Sequence, residues 1–350
     1  MPVPLSPAEA DQFLATAQAP AAHLDMLHAI AFRCAGAGLR LGVFDALADG
    51  ALPAPALAER LATDPLGLRL LLDALVAFGY LTRSPEGYAN SANTDRWLVR
   101  GAPDSYAPVL SFWDALLAHL WGDLDESVRR GSAGGDFYAW LERRPQTLAD
   151  FHTMLRRLAG WLAEEIVPLV PMPRPDATLL DLGGGHAAYP IAFCRAHPGL
   201  RATVLDLPGA LAQGAETVAA AGLPDRIELR AGDLLTADLG TGYDVVLLFN
   251  IVHGYPEAEV TRLLRRVAGA LRPGGQVALL EPLADPPARP AGVGDAFVRA
   301  FSLNLFHTQG GRAYRLDELS ELLRSAGFTE PQEHLLTRSD TDHLVLARRR

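Results

Sequence analysis

The chain has 350 residues, 49% of them apolar and 21% charged, the profile of a globular protein with sizeable cores in two domains, or in one with a large appendage. A formal net charge of −10 argues against a nucleic-acid binder, which needs clustered cations. No apolar run of about 18 residues is long enough to span a membrane, and the early acids Glu9 and Asp11 do not suit a signal peptide. Only two distant cysteines occur, Cys34 and Cys194, so the expectation is a reducing cytoplasmic setting without a disulfide framework.

In chain order, residues 7–48 have helical periodicity, with Leu24, Leu27, His28, Ala31 and Phe32 spaced to share a face. Pro53 starts a short helix to Leu61. Thr63-Asp64-Pro65 is an N-cap signature, because Asp accepts backbone N–H bonds and Pro fits the first turn. It opens a helix over Leu66–Phe78, stopped at Gly79, and Tyr80 to Ala89 reads as a hairpin. Helix, turn, helix and hairpin make a winged helix. Its second helix carries one Arg among many Leu, whereas base reading needs polar and cationic side chains. Burial against its own domain or a second subunit is the better expectation.

Residues 103–168 read as helical and hold Phe112, Trp113, Trp121, Phe137, Trp140, Phe151 and Trp161. Most belong in a core, and some are expected to line a substrate pocket at a domain junction. Met172 to Asp176 breaks the pattern as a linker. The expected division is a helical, winged-helix domain over 1–100, a helical, pocket-lining segment over 101–172 and an α/β domain over 173–350.

From Ala177 short apolar runs alternate with helical stretches: Thr178–Leu182, Ala202–Leu205, Ile227–Arg230, Val245–Phe249, Val277–Leu280 and His343–Ala347. That alternation implies βαβ units and a mostly parallel sheet, a Rossmann-like α/β fold. The first run leads into Asp181-Leu-Gly183-Gly184-Gly185 and then a helix. Glycines there let backbone approach a ligand, and the helix N-terminus offers N–H groups. Gly183, Gly185 and Ala188 also fit the dinucleotide pattern, and Asp206 after the second strand suits ribose in either case. Later segments separate the two: Ala231-Gly232-Asp233-Leu234, then Phe249-Asn250-Ile-Val-His253, the Arg-Pro-Gly274-Gly275 stop, Glu281 after the fifth strand, and a closing helix over Leu316–Ala326 with a terminal hairpin.

With those motifs in that order, nearly the whole chain resembles the bacterial and plant small-molecule O-methyltransferases that carry an N-terminal winged-helix dimerisation domain. The resemblance implies a seven-stranded sheet, S-adenosylmethionine as cofactor, a homodimer and a small aromatic or polyketide-like acceptor. It places the cofactor on Asp181, Gly183, Gly184, Gly185, Asp206, Leu207, Gly232, Asp233, Leu234, Phe249 and Asn250. It makes His253 the general base and Glu281 the carboxylate that orients it; an imidazole suits a phenolic proton at neutral pH. Acceptor contacts are expected from Trp113, Phe151, Met154, Phe301 and His307. No clustered ligand spacing calls for a metal. The chain departs from plant relatives at Gly310-Gly311-Arg312, where Ala313 stands in place of a second Glu. That departure makes non-methylating chemistry (hydroxylase, decarboxylase or pericyclase) an alternative reading; N- or C-methylation is another, and the winged helix leaves a DNA-binding regulator as a distant one.

Overall fold

A computed structural model describes residues 5–285 and 292–350. The chain forms two compact units, Met1–Gly122 with Arg144–Met154, and Asp123–Arg143 with Leu155–Arg350. The expected middle segment is thus shared between them.

The first unit contains helices Ala22–Leu41, Ala54–Arg60 and Pro65–Ala77, followed by strands β1 (Leu81–Ser84) and β2 (Gly87–Asn90) in an antiparallel hairpin. Asp64 caps its helix as the sequence suggests, accepting the Gly67 N–H at 2.7 Å. Phe44, Leu57, Leu72 and Leu75 are fully buried in the core. Asp114 is buried too, compensated by Arg33 and Arg40, and Gly36 packs so close to its carboxylate that a side chain would collide with it. Opposite this core the unit shows apolar surface: Met26, Ile30, Leu66 and Leu70 are exposed. A groove of about 430 Å³ runs along Met26, Ala29, Ile30, Cys34 and Leu71.

The second unit is built on seven strands: β3 (Thr178–Leu182), β4 (Arg201–Asp206), β5 (Ile227–Ala231), β6 (Tyr243–Phe249), β7 (Leu271–Pro282), β8 (Gln332–Leu335) and β9 (Asp342–Arg348). Their order is β5-β4-β3-β6-β7-β9-β8. All neighbours are parallel except β9, which runs against β7 and β8, so the expected terminal hairpin is present. Alternation along the strands fills both faces. Leu179, Val245 and Leu280 pack on one side with Leu162, Ile166 and Phe193, while Leu180, Val246 and Leu279 pack on the other with Leu263, Leu264 and Leu323. Successive strands leave β3 first toward β4 and later toward β6, creating the crevice at the carboxyl ends of the strands where such sheets bind ligands.

At the opposite end of the sheet, buried Asp244 receives Arg174, Arg272 and the Thr178 N–H, tying the linker to the starts of β3, β6 and β7. Among the described residues no helix is long and apolar enough to cross a membrane.

Candidate active site

At the end of β3, Gly183 adopts φ +74°, a left-handed conformation that glycine takes without a Cβ penalty. A side chain at Gly184 would fall inside the Asp181 carboxylate, and one at Gly185 would collide with Ala210 and the Asp206 carboxylate. Ala187 also sits at φ +57° just before helix Ala188–Ala196, although nothing in its residue type signals a left-handed turn.

Asp206 ties this loop to β4. Its carboxylate accepts the Gly185 N–H at 2.8 Å and the Leu207 N–H at 2.7 Å, and burial pushes its pKa up despite those bonds. Gly232 donates its N–H to the Asp206 carbonyl at 2.9 Å. Asp233 is exposed and accepts the Leu235 N–H at 2.8 Å, forming a turn beside buried Leu234. Phe249 closes the floor, edge-on to Tyr189 at 4.7 Å. Asn250 turns the chain at φ +58° and donates its N–H to Leu280. The residues expected at the cofactor site thus gather along the ends of β3, β4, β5 and β6.

Asp181 is unlike the other acids. It is 1% exposed, and neither carboxylate oxygen has a hydrogen-bond partner. Burial, with the Asp206 charge beside it, pushes its pKa up to about 8. An orphaned buried carboxyl group costs free energy unless a ligand or water answers it.

His253 lies in a short helical turn, Val252–Gly254. Its Nδ1 is 2.5 Å from Glu281 Oε2, while Glu281 Oε1 accepts the Ile251 and Val252 N–H groups at 2.9 and 2.8 Å. One carboxylate therefore fixes both the ring and the turn that carries it, with Glu281 almost fully buried. The Phe301 ring stands edge-on to the imidazole at 5.4 Å, and Phe297 stacks parallel to Phe301 at 5.6 Å.

The Gly310-Gly311 pair has a local function. Gly310 ends helix Val293–Gln309 at φ +80°, and Gly311 lies against the His253 carbonyl with no room for a side chain. Tyr314 donates its hydroxyl to the Tyr255 carbonyl at 2.9 Å, so this segment braces the His253 turn. Ala313 is 3% exposed and donates its N–H to Ser302 Oγ.

The expected acceptor contacts are divided between the units. In the first unit, the Phe112 ring lies 6.1 Å from Trp113 and 5.1 Å from Phe151, and Met154 is half-buried. In the second, Phe301 meets His253, but His307 lies six residues further along the helix. Its buried ring hydrogen-bonds Ser127 Oγ at 2.8 Å. Sequence reasoning did not single out Tyr189, which looks like one more core aromatic, or Asp342 at the start of β9.

Comparison with known proteins gives two domain matches: an O-methyltransferase domain over residues 121–329 and an O-methyltransferase dimerisation domain over residues 24–100. The chain is 32% identical over 300 residues to the 3-hydroxy-5-methyl-1-naphthoate 3-O-methyltransferase of Streptomyces sahachiroi, covering 84% of this chain and 85% of that one. It is 30% identical over 333 residues to the acetylserotonin O-methyltransferase of Mus musculus, covering 87% and 83%. Among solved structures it resembles the mitomycin 7-O-methyltransferase MmcR, with a TM-score of 0.84, 28% identity and coverage of 96% and 99%. PigF with SAH is similar at a TM-score of 0.84, with 26% identity and coverage of 94% and 99%.

Proposed function

The chain belongs to the O-methyltransferase family, with the catalytic and dimerisation domains in one polypeptide, and from that premise we propose that His253 removes the proton of a small aromatic hydroxyl acceptor as it is methylated. The protein is an S-adenosylmethionine-dependent O-methyltransferase. The site fits that cofactor: the glycine turn packs closely on Asp181 and Asp206, and the buried, unanswered Asp181 suits a cationic group. When bound, the cofactor supplies a methyl group already activated on a sulfonium. What remains for the protein is alignment and proton removal.

The observation that carries the reading is the His253–Glu281 pair. Glu281 favours the tautomer whose Nδ1–H faces the carboxylate, leaving Nε2 with a lone pair for the acceptor's proton. The developing imidazolium is then compensated by the same carboxylate. Phe301 beside that ring, with Phe297 stacked on it, offers an apolar wall to a flat acceptor. Relatives named for a naphthoate, a tetracenomycin polyketide and acetylserotonin support an aromatic acceptor.

The matched dimerisation domain and the exposed apolar face of the first unit support a homodimer formed through that face. Both cysteines are free thiols, in keeping with the cytoplasm.

The test is incubation with methyl-labelled cofactor and a panel of hydroxynaphthoates, hydroxyindoles and aromatic polyketides. Label is expected on an acceptor oxygen, with S-adenosylhomocysteine as co-product. Cofactor binding without transfer to any hydroxyl in the panel would refute the acceptor assignment.

A further inference from the structure

The stretch Asp123–Arg143 folds with the second unit, although the chain on either side of it belongs to the first. It forms a strap of two short helices, Leu124–Arg130 and Phe137–Glu142, joined by a glycine-containing turn. One residue of helix Val293–Gln309 clasps this strap. The His307 ring, 2% exposed, is set between two strap side chains a helical turn apart. Its Nδ1 lies 2.8 Å from the Oγ of fully buried Ser127, and its Nε2 lies 4.0 Å from Asp123 Oδ1. The His307 carbonyl accepts the Gly134 N–H at 2.8 Å. Gly134 approaches so closely that a Cβ there would stand 3.3 Å from Ser127 Oγ and 3.4 Å from the imidazole Cε1. Parting the strap from the helix would leave a buried hydroxyl and a buried imidazole to lose each other, so the bond selects one arrangement.

The clasped helix is also the one that meets His253. Phe301 stands edge-on to the imidazole at 5.4 Å. Gln309, in the last turn, lies so near Gly254 that a Cβ there would come within 2.9 Å of its Oε1, and Gly311 abuts the His253 carbonyl. A helix moves as a body, so drift at the His307 turn reaches Phe301 and the His253 turn together. We propose that His307 is a positioning residue for methyl transfer: by clasping the strap it fixes helix Val293–Gln309, and through that helix the Phe301 wall and the turn carrying His253. It touches no reacting atom. An ångström of misplacement at a reacting centre costs about 100-fold in rate, so a bond this far from the proton acceptor still bears on turnover.

The inference rests on the methyl-transfer reading, and its test separates the two. His307→Leu and Ser127→Ala each remove the clasp and leave His253, Glu281 and Phe301 in place. Trypsin, which cuts after arginine, reports the strap through cleavage at exposed Arg129 and Arg130. Hydrogen exchange reports the His253 turn through the Ile251 and Val252 amides. In full-length protein both variants should be cut about ten times faster and exchange faster at those two amides, while the amides of β3 and β6 keep their native rates. On the panel compound that takes the methyl label, kcat should fall about 10- to 100-fold with S-adenosylhomocysteine affinity unchanged. His307→Asn, whose amide stands where Nδ1 does and still meets Ser127, should recover most of the rate. Native cleavage, exchange and kcat in both variants overturn the clasp. Faster exchange throughout the sheet, with no rescue by Asn, reduces His307 to a general stabiliser and overturns the positioning role. If no panel compound is methylated, the function reading falls, and cleavage and exchange still decide whether His307 fixes the turn. If His307→Leu does not fold, Ser127→Ala carries the same test.

Discussion

Glu281 makes three contacts with one side chain, so the character of its replacement matters. Glu281→Gln keeps an oxygen for the Ile251 and Val252 N–H groups but loses the charge facing His253. It should lower kcat about tenfold or more with the melting temperature nearly unchanged. Glu281→Ala leaves those donors unanswered inside the protein and should also cost about 1–3 kcal/mol of stability, measured by denaturant unfolding. His253→Ala should preserve cofactor affinity while turnover falls about 100-fold or more; an unchanged rate would remove the base from the mechanism. Ala187 tests a different kind of residue effect. Its left-handed backbone costs an L side chain about 1–2 kcal/mol, more than the extra chain entropy glycine loses. Ala187→Gly should therefore raise the thermal midpoint by about 1–4 °C.

The segment Gly310–Tyr314 acts on the site through another element's backbone. Gly311→Ala would drive a methyl group into the His253 carbonyl, so the turn carrying His253 has to move. The expected result is a 10- to 100-fold fall in kcat at nearly constant cofactor affinity, and retention of the native rate would show that the turn yields freely. Elements of this kind were only partly legible in sequence. The six runs noted beyond Ala177 all became strands; those in β3, β4, β6 and β7 are buried parallel strands written as largely apolar stretches. The start of β7 at Leu271 was not visible, since Arg272-Pro-Gly-Gly275 carries a stop signal and no apolar alternation. The glycine turn was readable from its place between a strand and a helix, and the His253–Glu281 pair from the family resemblance. The left-handed Ala187 and the buried hydroxyl of Tyr189 were not: alanine does not mark a turn, and a tyrosine in an apolar helix looks like packing until its oxygen is located.

For the molecule as a whole, the first unit presents more apolar surface than a winged helix needs for its own core. Ile30 is 45% exposed on the face that also carries Met26. Ile30→Asp should convert the dimer to a monomer in sedimentation analysis at micromolar concentration, with the unit still folded; a persistent dimer would place the contact elsewhere. Asp181 has a consequence on the same scale. Its raised pKa favours the fold most below the ordinary carboxylate range, near 3.8, and that contribution is lost as pH climbs through about 8. The cofactor-free protein should melt at a lower temperature at pH 8 than at pH 6, and Asp181→Asn should flatten that difference. A ligand that answers this group binds only the folded chain, so filling the site should slow digestion of the protein by an added protease.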